Sequence, residues 1–237
     1  MIEIIPISER NPDTDVDTEK KFYIDNSIAN SMAKKYNYAI ENIVLKNNDD
    51  NICFRHNDCR VITAPDVCDY KLSKLFDSHE VGVAGLIGTI ALDSVCTWWN
   101  GVLRAGGRPA YASGFIIQGG FDKDGKPIEY PMREHPGTHD YLATVDGCCM
   151  FFPKWIFEEG LRFDEKLKGY HFYDTDICLQ VLERGYKVST TEILAKHFSE
   201  GKPPKEFDKL KKVFFEKWNK KVSGNWPISR LSKFNKA

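Results

Sequence analysis

The sequence predicts a single α/β domain with a mixed, mainly parallel sheet flanked by helices. Its 237 residues suit one domain of this class, and its 42% hydrophobic and 28% charged residues are typical of globular proteins. Segments with strand and helix signals alternate over the first 90 residues. Because such alternation is typical of βαβ units, we expect a sheet covered by helices.

The first half of the chain predicts the order strand, helix, strand, helix, strand. Apolar runs indicate strands at 2–7, 22–24, 51–54 and 81–90. From Ser27, apolar residues recur every three or four positions, which predicts a helix ending near Asn47, capped by Asn26 or Ser27. A second helix is expected from Pro65 to about Phe76.

The second half predicts a loop-rich segment followed by more strands and helices. Residues 98–140 are rich in Gly, Pro, Tyr and His, so we expect substrate-contacting loops there, with short strands at 101–103 and 114–117. Further strands are predicted at 145–152, 186–190 and 193–196. Helices are expected to open at Pro153, to span 174–184, and to run from Pro204 to about Val222.

The net charge of the chain differs in sign before and after residue 201. The formal net charge of −1 lacks the basic excess of nucleic-acid-binding domains, so no nucleic-acid partner is expected. Residues 202–237 nevertheless hold eleven Lys and Arg against three Asp and Glu. We therefore divide the chain into a domain at 1–201 and a basic helix and tail at 202–237. The apolar stripe of that helix is expected to dock on the domain, the alternative being peripheral contact with anionic lipid.

Cysteine content and hydropathy predict a cytoplasmic protein, with the membrane surface as the alternative. Seven Cys without CxxC spacing indicate reduced thiols rather than a disulfide framework or a zinc ribbon. The N-terminus has no basic region followed by a long apolar stretch, and no segment approaches the roughly 20 apolar residues that cross a bilayer.

Three clusters of polar residues could carry chemistry. His56 and Asp58 follow a predicted strand, where α/β sheets bind ligands. Asp174 and Asp176 stand at a predicted helix start, and His197 follows an apolar strand. Each has a purely structural alternative: a turn Asp, carboxylates that charge a helix N-terminus, and a hydrogen-bonded histidine.

Four segments that contain these clusters resemble the GT-A glycosyltransferases of family 2, especially the compact glycosyltransferase-like branch. The segments are ICFRHNDCRV, VDGCCMFFPKWIFEEGLRFDEKL, GYHFYDTDICLQVLERGYKV and AKHFSEG. The resemblance implies a Rossmann-like GT-A fold that transfers a sugar, with inversion, from a nucleotide-sugar donor, UDP- or GDP-linked, to a hydroxyl. It also implies Mn²⁺ or Mg²⁺ as cofactor, and a glycan, lipid-linked or protein acceptor.

The resemblance also implies roles for the residues of the three clusters. Asp58 matches the last acid of the family's Asp-x-Asp motif and would bind the metal with His197. His56 stands where the first acid usually lies and is assigned to the donor. Asp174 matches the acid that serves as base, with Asp176 as second choice, although Tyr173 replaces the usual Glu before it.

Further residues are assigned to the donor and to the sugar or acceptor. Ser8 and Arg10 end the first strand and would line the nucleotide pocket, while Lys34 and Asn37 either approach the donor or belong to a solvated helix face. The candidates for sugar or acceptor binding are Trp98, Trp99, Asp146 and His171. The tryptophans could stack on a sugar or belong to the core, and Asp146 could bind sugar hydroxyls or lie at a strand edge.

Two other functions stay open at this point. A degenerate Asp-x-Asp motif and the polar stretch 11–21, which lacks helical periodicity, are also compatible with a glycan- or nucleotide-binding module without turnover. A metal-dependent hydrolase of sugar nucleotides, with Asp174 activating water, is the third alternative.

Overall fold

Two six-stranded sheets form the centre of the computed structural model, which describes residues 1–8, 20–90, 92, 112–134, 137–199 and 207–222. The strands of the first sheet are β1 (Ile2–Pro6), β2 (Lys21–Ile24), β3 (Asn51–Arg55), β5 (Val81–Gly85), β10 (Cys149–Pro153) and β11 (Lys187–Thr190). The strands of the second sheet are β4 (Cys59–Val61), β6 (Ile87–Thr89), β7 (Ala112–Phe121), β8 (Pro127–Glu134), β9 (Thr144–Val145) and β12 (Ala195–Phe198).

The first sheet has the order β11-β5-β10-β3-β1-β2. Its pairs are parallel except where β10 runs antiparallel between β3 and β5. The second sheet has the order β4-β12-β7-β6-β9, with β8 paired to β7, and β12 with β7 is its parallel pair. The predicted α/β class with a mixed, mainly parallel sheet is confirmed by the first sheet.

Five helices in the described ranges accompany the sheets. They are α1 (Met32–Asn42), α2 (Pro65–Phe76), α3 (Lys154–Glu158), α4 (Tyr173–Glu183) and α5 (Phe207–Val222), with a 3₁₀ turn at Val44–Lys46 after α1. None of these described helices is apolar over a length that could cross a bilayer.

Successive residues of β3 pack against helices on opposite faces of the first sheet. Phe54 belongs to the cluster that contains Tyr36 of α1, and Cys53 to the cluster that contains Leu72 of α2. Successive side chains of a strand point to opposite faces, so a strand buried on both sides carries apolar residues without alternation. This pattern made β3 and β5 recognisable in the sequence.

The structure corrects several predicted boundaries. Helix α1 begins at Met32 with Ser31 as its cap, because Asn26 instead accepts a hydrogen bond from Lys35, and Ser27 is held by Asp25. The run predicted as one strand at 81–90 forms β5 and β6, which belong to different sheets. Likewise, the strand predicted at 145–152 is divided between β9 and β10.

The segment predicted to be rich in loops also contains a long hairpin. Strands β7 and β8 pair over eight positions, from Gly114 opposite Glu134 to Phe121 opposite Pro127. The strand predicted at 101–103 and the polar stretch expected at 11–21 lie outside the described residues, except for Lys20 and Lys21. The loops predicted between 98 and 111 also lie outside them.

Helix α5 packs on the domain through its apolar stripe. Leu210, Phe214 and Trp218 are buried in a cluster with Phe172 and with Leu179 of α4. The stripe that could have met a lipid surface is therefore covered by the protein itself.

Candidate functional site

His56, Asp58 and His197 come together at the edge where the two sheets meet. His56 follows β3, Asp58 lies in the turn before β4, and His197 lies in β12, opposite Cys59 of β4. His197 Nε2 is 3.6 Å and His56 Nδ1 3.8 Å from the same oxygen, Asp58 Oδ1. One ligand atom from each residue can lie within 4.8 Å of the other two, so the three could hold one metal ion.

The second nitrogen of each histidine contacts a polar side chain. His56 Nε2 is 2.6 Å from the hydroxyl of Tyr173, which donates to the carbonyl oxygen of Gly147 at 3.0 Å. His197 Nδ1 is 3.2 Å from Gln118 Oε1, on the neighbouring strand β7. Burial lowers the pKa of His56 despite the opposing charges of Asp58 and Asp146, which favours the neutral imidazole that binds metals.

Asp174 lies beside this cluster, in the first turn of α4. Its carboxylate accepts hydrogen bonds from the backbone N–H of Gly147 at 3.0 Å and of Thr175 at 2.8 Å. Burial, and then the negative charge of Asp146, raise the pKa of Asp174 to about 7. A carboxylate with a pKa near neutrality can accept a proton with a useful driving force and can serve as a general base.

Asp176, the second candidate base, is placed in the core. Its side chain is fully buried, and its oxygens bind Gln180 Nε2 at 2.8 Å, Trp218 Nε1 at 2.8 Å and Lys217 Nζ at 2.7 Å. These contacts occupy the hydrogen-bonding positions of the carboxylate and leave no place for the acceptor of a sugar. We therefore assign Asp176 the structural role of holding α5 on α4. This corrects the sequence-based alternative that Asp176 is the base.

The residues predicted on the donor side that the structure describes, besides His56, are Ser8, Lys34 and Asn37. Ser8 is exposed just beyond β1, and Lys34 lies on the exposed side of α1. Asn37 donates to the carbonyl oxygen of Phe163 at 2.9 Å and accepts from its N–H at 2.9 Å. Since both ends of its amide are engaged with backbone, the structure gives Asn37 a packing role instead of the predicted donor contact.

Among the residues predicted to bind sugar or acceptor, Asp146 and His171 lie near the cluster. Asp146 precedes Gly147, and its carboxylate accepts from the N–H of Cys148 at 2.7 Å. His171 packs edge-on against the Phe207 ring, 5.3 Å between centroids, and burial lowers its pKa, with the charge of His56 adding to this effect. Arg10, Trp98 and Trp99 lie outside the described residues.

Gln118 and the hydroxyl of Tyr173 are site features that the sequence analysis missed. Gln118 lies in a strand that was expected to be largely loop, so no signal pointed to it. In the sequence, Tyr173 is recognisable only as the residue that replaces the family's usual Glu before Asp174. The co-occurrence of His56 and Tyr173 at two positions that are usually acidic was the available signal, because the two side chains are in contact.

The cysteines in the described ranges are free and buried, as the predicted reduced thiols require. Cys148 and Cys149 are both fully buried and belong to the core cluster beneath α2. Cys148 joins Gly147 to β10 and Cys149 is the first residue of that strand, so the two support the site rather than line it.

Comparison with known proteins gave one family match and, among the solved structures that resemble this chain, two of low sequence identity. The model of a family described as glycosyltransferase like matches residues 13–218. The crystal structure of A197 from STIV has 9% identity and a TM-score of 0.44, covering 84% of this chain and 85% of its own. The structure of GalNAc-T7 with UDP, GalNAc and Mn²⁺ has 13% identity and a TM-score of 0.47, covering 91% of this chain. This chain spans 43% of GalNAc-T7, and no curated protein sequence gave a significant match.

Proposed function

Because this chain belongs to the glycosyltransferase-like family, whose model matches residues 13–218, we propose that it transfers a sugar from a nucleoside-diphosphate sugar to an acceptor hydroxyl. The observation that carries the proposal is that Tyr173 links the cation cluster, which consists of His56, Asp58 and His197, to its neighbour Asp174. Tyr173 touches His56 of the cation cluster, and its neighbour Asp174 has a pKa near 7. A cation for the leaving group and a base for the acceptor are the two components that such a reaction needs.

The ligand atoms of His56, Asp58 and His197 favour Mn²⁺ over Mg²⁺ as the cofactor. Mg²⁺ prefers oxygen ligands in near-ideal octahedral geometry, whereas the cluster offers two imidazoles and one carboxylate. His56, Asp58 and His197 would hold the ion and leave positions for the donor's diphosphate oxygens. When bound, the ion would neutralise the charge that develops on the leaving nucleoside diphosphate.

Asp174 would take the acceptor proton. As the acceptor oxygen bonds to the anomeric carbon, the bond from that carbon to the diphosphate breaks, and the hydroxyl proton moves to the Asp174 carboxylate. Attack opposite the leaving group inverts the anomeric configuration. The hydrogen bonds from Gly147 and Thr175 orient the carboxylate and keep it fixed during the transfer.

The first experiment is thermal denaturation with UDP-, GDP-, CMP- and dTDP-sugars, each with Mn²⁺, with Mg²⁺ and with chelator. A ligand at about 100 times its Kd stabilises the folded state by about 2.7 kcal/mol. We expect a Mn²⁺-dependent shift with UDP- or GDP-sugars. If no sugar nucleotide shifts the melting temperature, the donor proposal is wrong.

Product analysis with the stabilising donor then tests turnover. Glycan, lipid-linked and peptide acceptors are offered, and free sugar is measured in parallel, because sugar release without any acceptor would indicate a hydrolase. Asp174→Asn is expected to lower transfer about 10²–10⁴-fold with donor affinity retained. Asp66→Asn is the matched control, since Asp66 also lies in the first turn of a helix but is exposed.

A further inference from the structure

We propose that Tyr173 and Gln118 are positioning residues that fix the tautomers of His56 and His197, so that the nitrogens facing Asp58 carry lone pairs for a cation. This inference rests on the proposed function, because it concerns the cation site of that reaction. Its evidence is the network of hydrogen bonds on the far side of both imidazoles.

At His56 the tautomer follows from counting protons. The hydroxyl of Tyr173 has one proton, and the carbonyl oxygen of Gly147, 3.0 Å away, can only accept it. With that proton given to the carbonyl oxygen, the contact of 2.6 Å between the hydroxyl and His56 Nε2 is made by a proton of the histidine. With Nε2 protonated, the neutral ring presents the lone pair of Nδ1 toward Asp58.

At His197 the tautomer follows from the orientation of an amide. Gln118 Nε2 donates to the carbonyl oxygen of Gly119 at 3.0 Å, which turns Gln118 Oε1 toward the ring. An amide oxygen only accepts, so His197 Nδ1 carries the proton at this contact of 3.2 Å. Its Nε2 is then the nitrogen that faces Asp58.

The distances around Asp58 agree with this assignment. Separations of 3.6 and 3.8 Å between the histidine nitrogens and Asp58 Oδ1 are longer than hydrogen bonds, so no proton bridges these groups. Metal-bound histidines characteristically donate their other N–H to a protein acceptor, and removing that acceptor typically lowers metal affinity 10–100-fold. Here the two acceptors come from α4 and from β7, one on each side of the cluster.

Two measurements on the full chain test the proposal. Long-range ¹H–¹⁵N NMR of the metal-free protein reports which nitrogen of each imidazole is protonated. We expect protonated Nε2 at His56 and protonated Nδ1 at His197, and mixed tautomers at the corresponding ring in Tyr173→Phe and Gln118→Met. Electron paramagnetic resonance of free Mn²⁺ should show affinity reduced 10–100-fold in both variants. Gln118→Glu, which keeps an acceptor at the same place and adds a negative charge, should bind Mn²⁺ at least as tightly as the original protein.

The outcomes separate this inference from the proposed function. The opposite tautomers in the original protein, or unchanged Mn²⁺ affinity in both variants, would overturn the positioning role while leaving the cation site in place. The expected tautomers without any Mn²⁺ binding would support the positioning role and overturn the cation site instead. Gln118→Met keeps the test valid if Tyr173→Phe does not fold, because Gln118 is only half-buried on a strand.

Discussion

The backbone N–H of Gly147 donates to Asp174 Oδ2 at 3.0 Å, while the carbonyl oxygen of the same glycine accepts from the hydroxyl of Tyr173 at 3.0 Å. One peptide segment thus holds both the proposed base and the residue proposed to orient His56. Gly147 can come this close to both residues because it has no side chain. A Cβ on Gly147 would lie 2.8 Å from Tyr173 Cζ and 2.9 Å from Asp174 Cβ.

Gly147→Ala should therefore disturb the base and the cation cluster together. Overpacking of this kind costs about 1–3 kcal/mol, and we expect transfer and Mn²⁺ affinity each to fall at least tenfold. Gly120→Ala is the control, because a Cβ there meets nothing within 4 Å. Mn²⁺ titration and urea unfolding of both variants check the prediction, and equal behaviour of the two would contradict it.

The rate of transfer should rise with pH through about 7 and then level off. Asp174 acts as a base only when ionised, and burial with the charge of Asp146 raises its pKa to about 7. Asp146→Asn removes the like charge and should move the midpoint of the pH–rate profile downward. A midpoint near pH 4 in the original protein would exclude Asp174 as the base.

The same raised pKa predicts how stability depends on pH. The folded state holds the Asp174 proton more tightly than the unfolded chain does, so this residue's contribution to stability is lost as the pH rises through about 7. The free energy of unfolding of Asp174→Asn should be less sensitive to pH between 4 and 8 than that of the original protein. Identical pH dependence of the two would contradict the raised pKa.

Asp176→Ala should destabilise the protein strongly. The substitution leaves Lys217 and the indole N–H of Trp218 without their buried acceptor, which typically costs about 3–5 kcal/mol. Asp164→Ala removes the other carboxylate that binds Lys217, at 2.8 Å, but from a partly exposed position, and should cost about 0–1 kcal/mol. Urea unfolding measures both, and a small effect at Asp176 would remove its structural role.

Lys35→Met should destabilise the region where β1 ends. Lys35 is almost fully buried, and its Nζ donates to the carbonyl oxygen of Ile7 at 2.5 Å and to Asn26 Oδ1 at 2.8 Å. Leaving these acceptors unpaired costs about 1–3 kcal/mol. Lys34→Met, one position earlier and exposed, should change stability by less than about 0.5 kcal/mol. Thermal denaturation of the pair tests this, and equal losses would contradict it.

The family and the first sheet could be predicted from sequence because both depend on continuous segments. Strands β3 and β5 are apolar on both faces, and the resemblance, confirmed by the family match over 13–218, rests on motifs within such segments. Strand β7 was predicted only at 114–117, within the observed Ala112–Phe121, because it contains glycines that disfavour strands. A Cβ at Gly114 would collide with the backbone of Leu86, and one at Gly119 with the ring of Phe198, so these two glycines are required by tertiary contacts that the sequence does not display.

The residues of the candidate site stay a prediction, and the structure shows only which of them lie close together. Asp58 and His197 were paired through the resemblance, and the structure places them 3.6 Å apart. The binding and catalytic roles predicted for Asn37 and Asp176 differ from the contacts that the structure shows. A polar residue recurs at the same helical spacing whether its side chain faces a ligand or a distant part of the chain. Their partners, Phe163 and Trp218, are far away in sequence and identifiable only after folding.

The pairing of β12 with β4 has a consequence for synthesis of the chain. Asp58 leaves the ribosome before His197, which is among the last residues of the second sheet to appear, and the two meet only when β12 docks between β4 and β7. A nascent chain that ends before Ala195 holds two of the three proposed cation ligands and lacks the parallel pair of that sheet. The proposed cation site is therefore complete only after β12 has joined the second sheet.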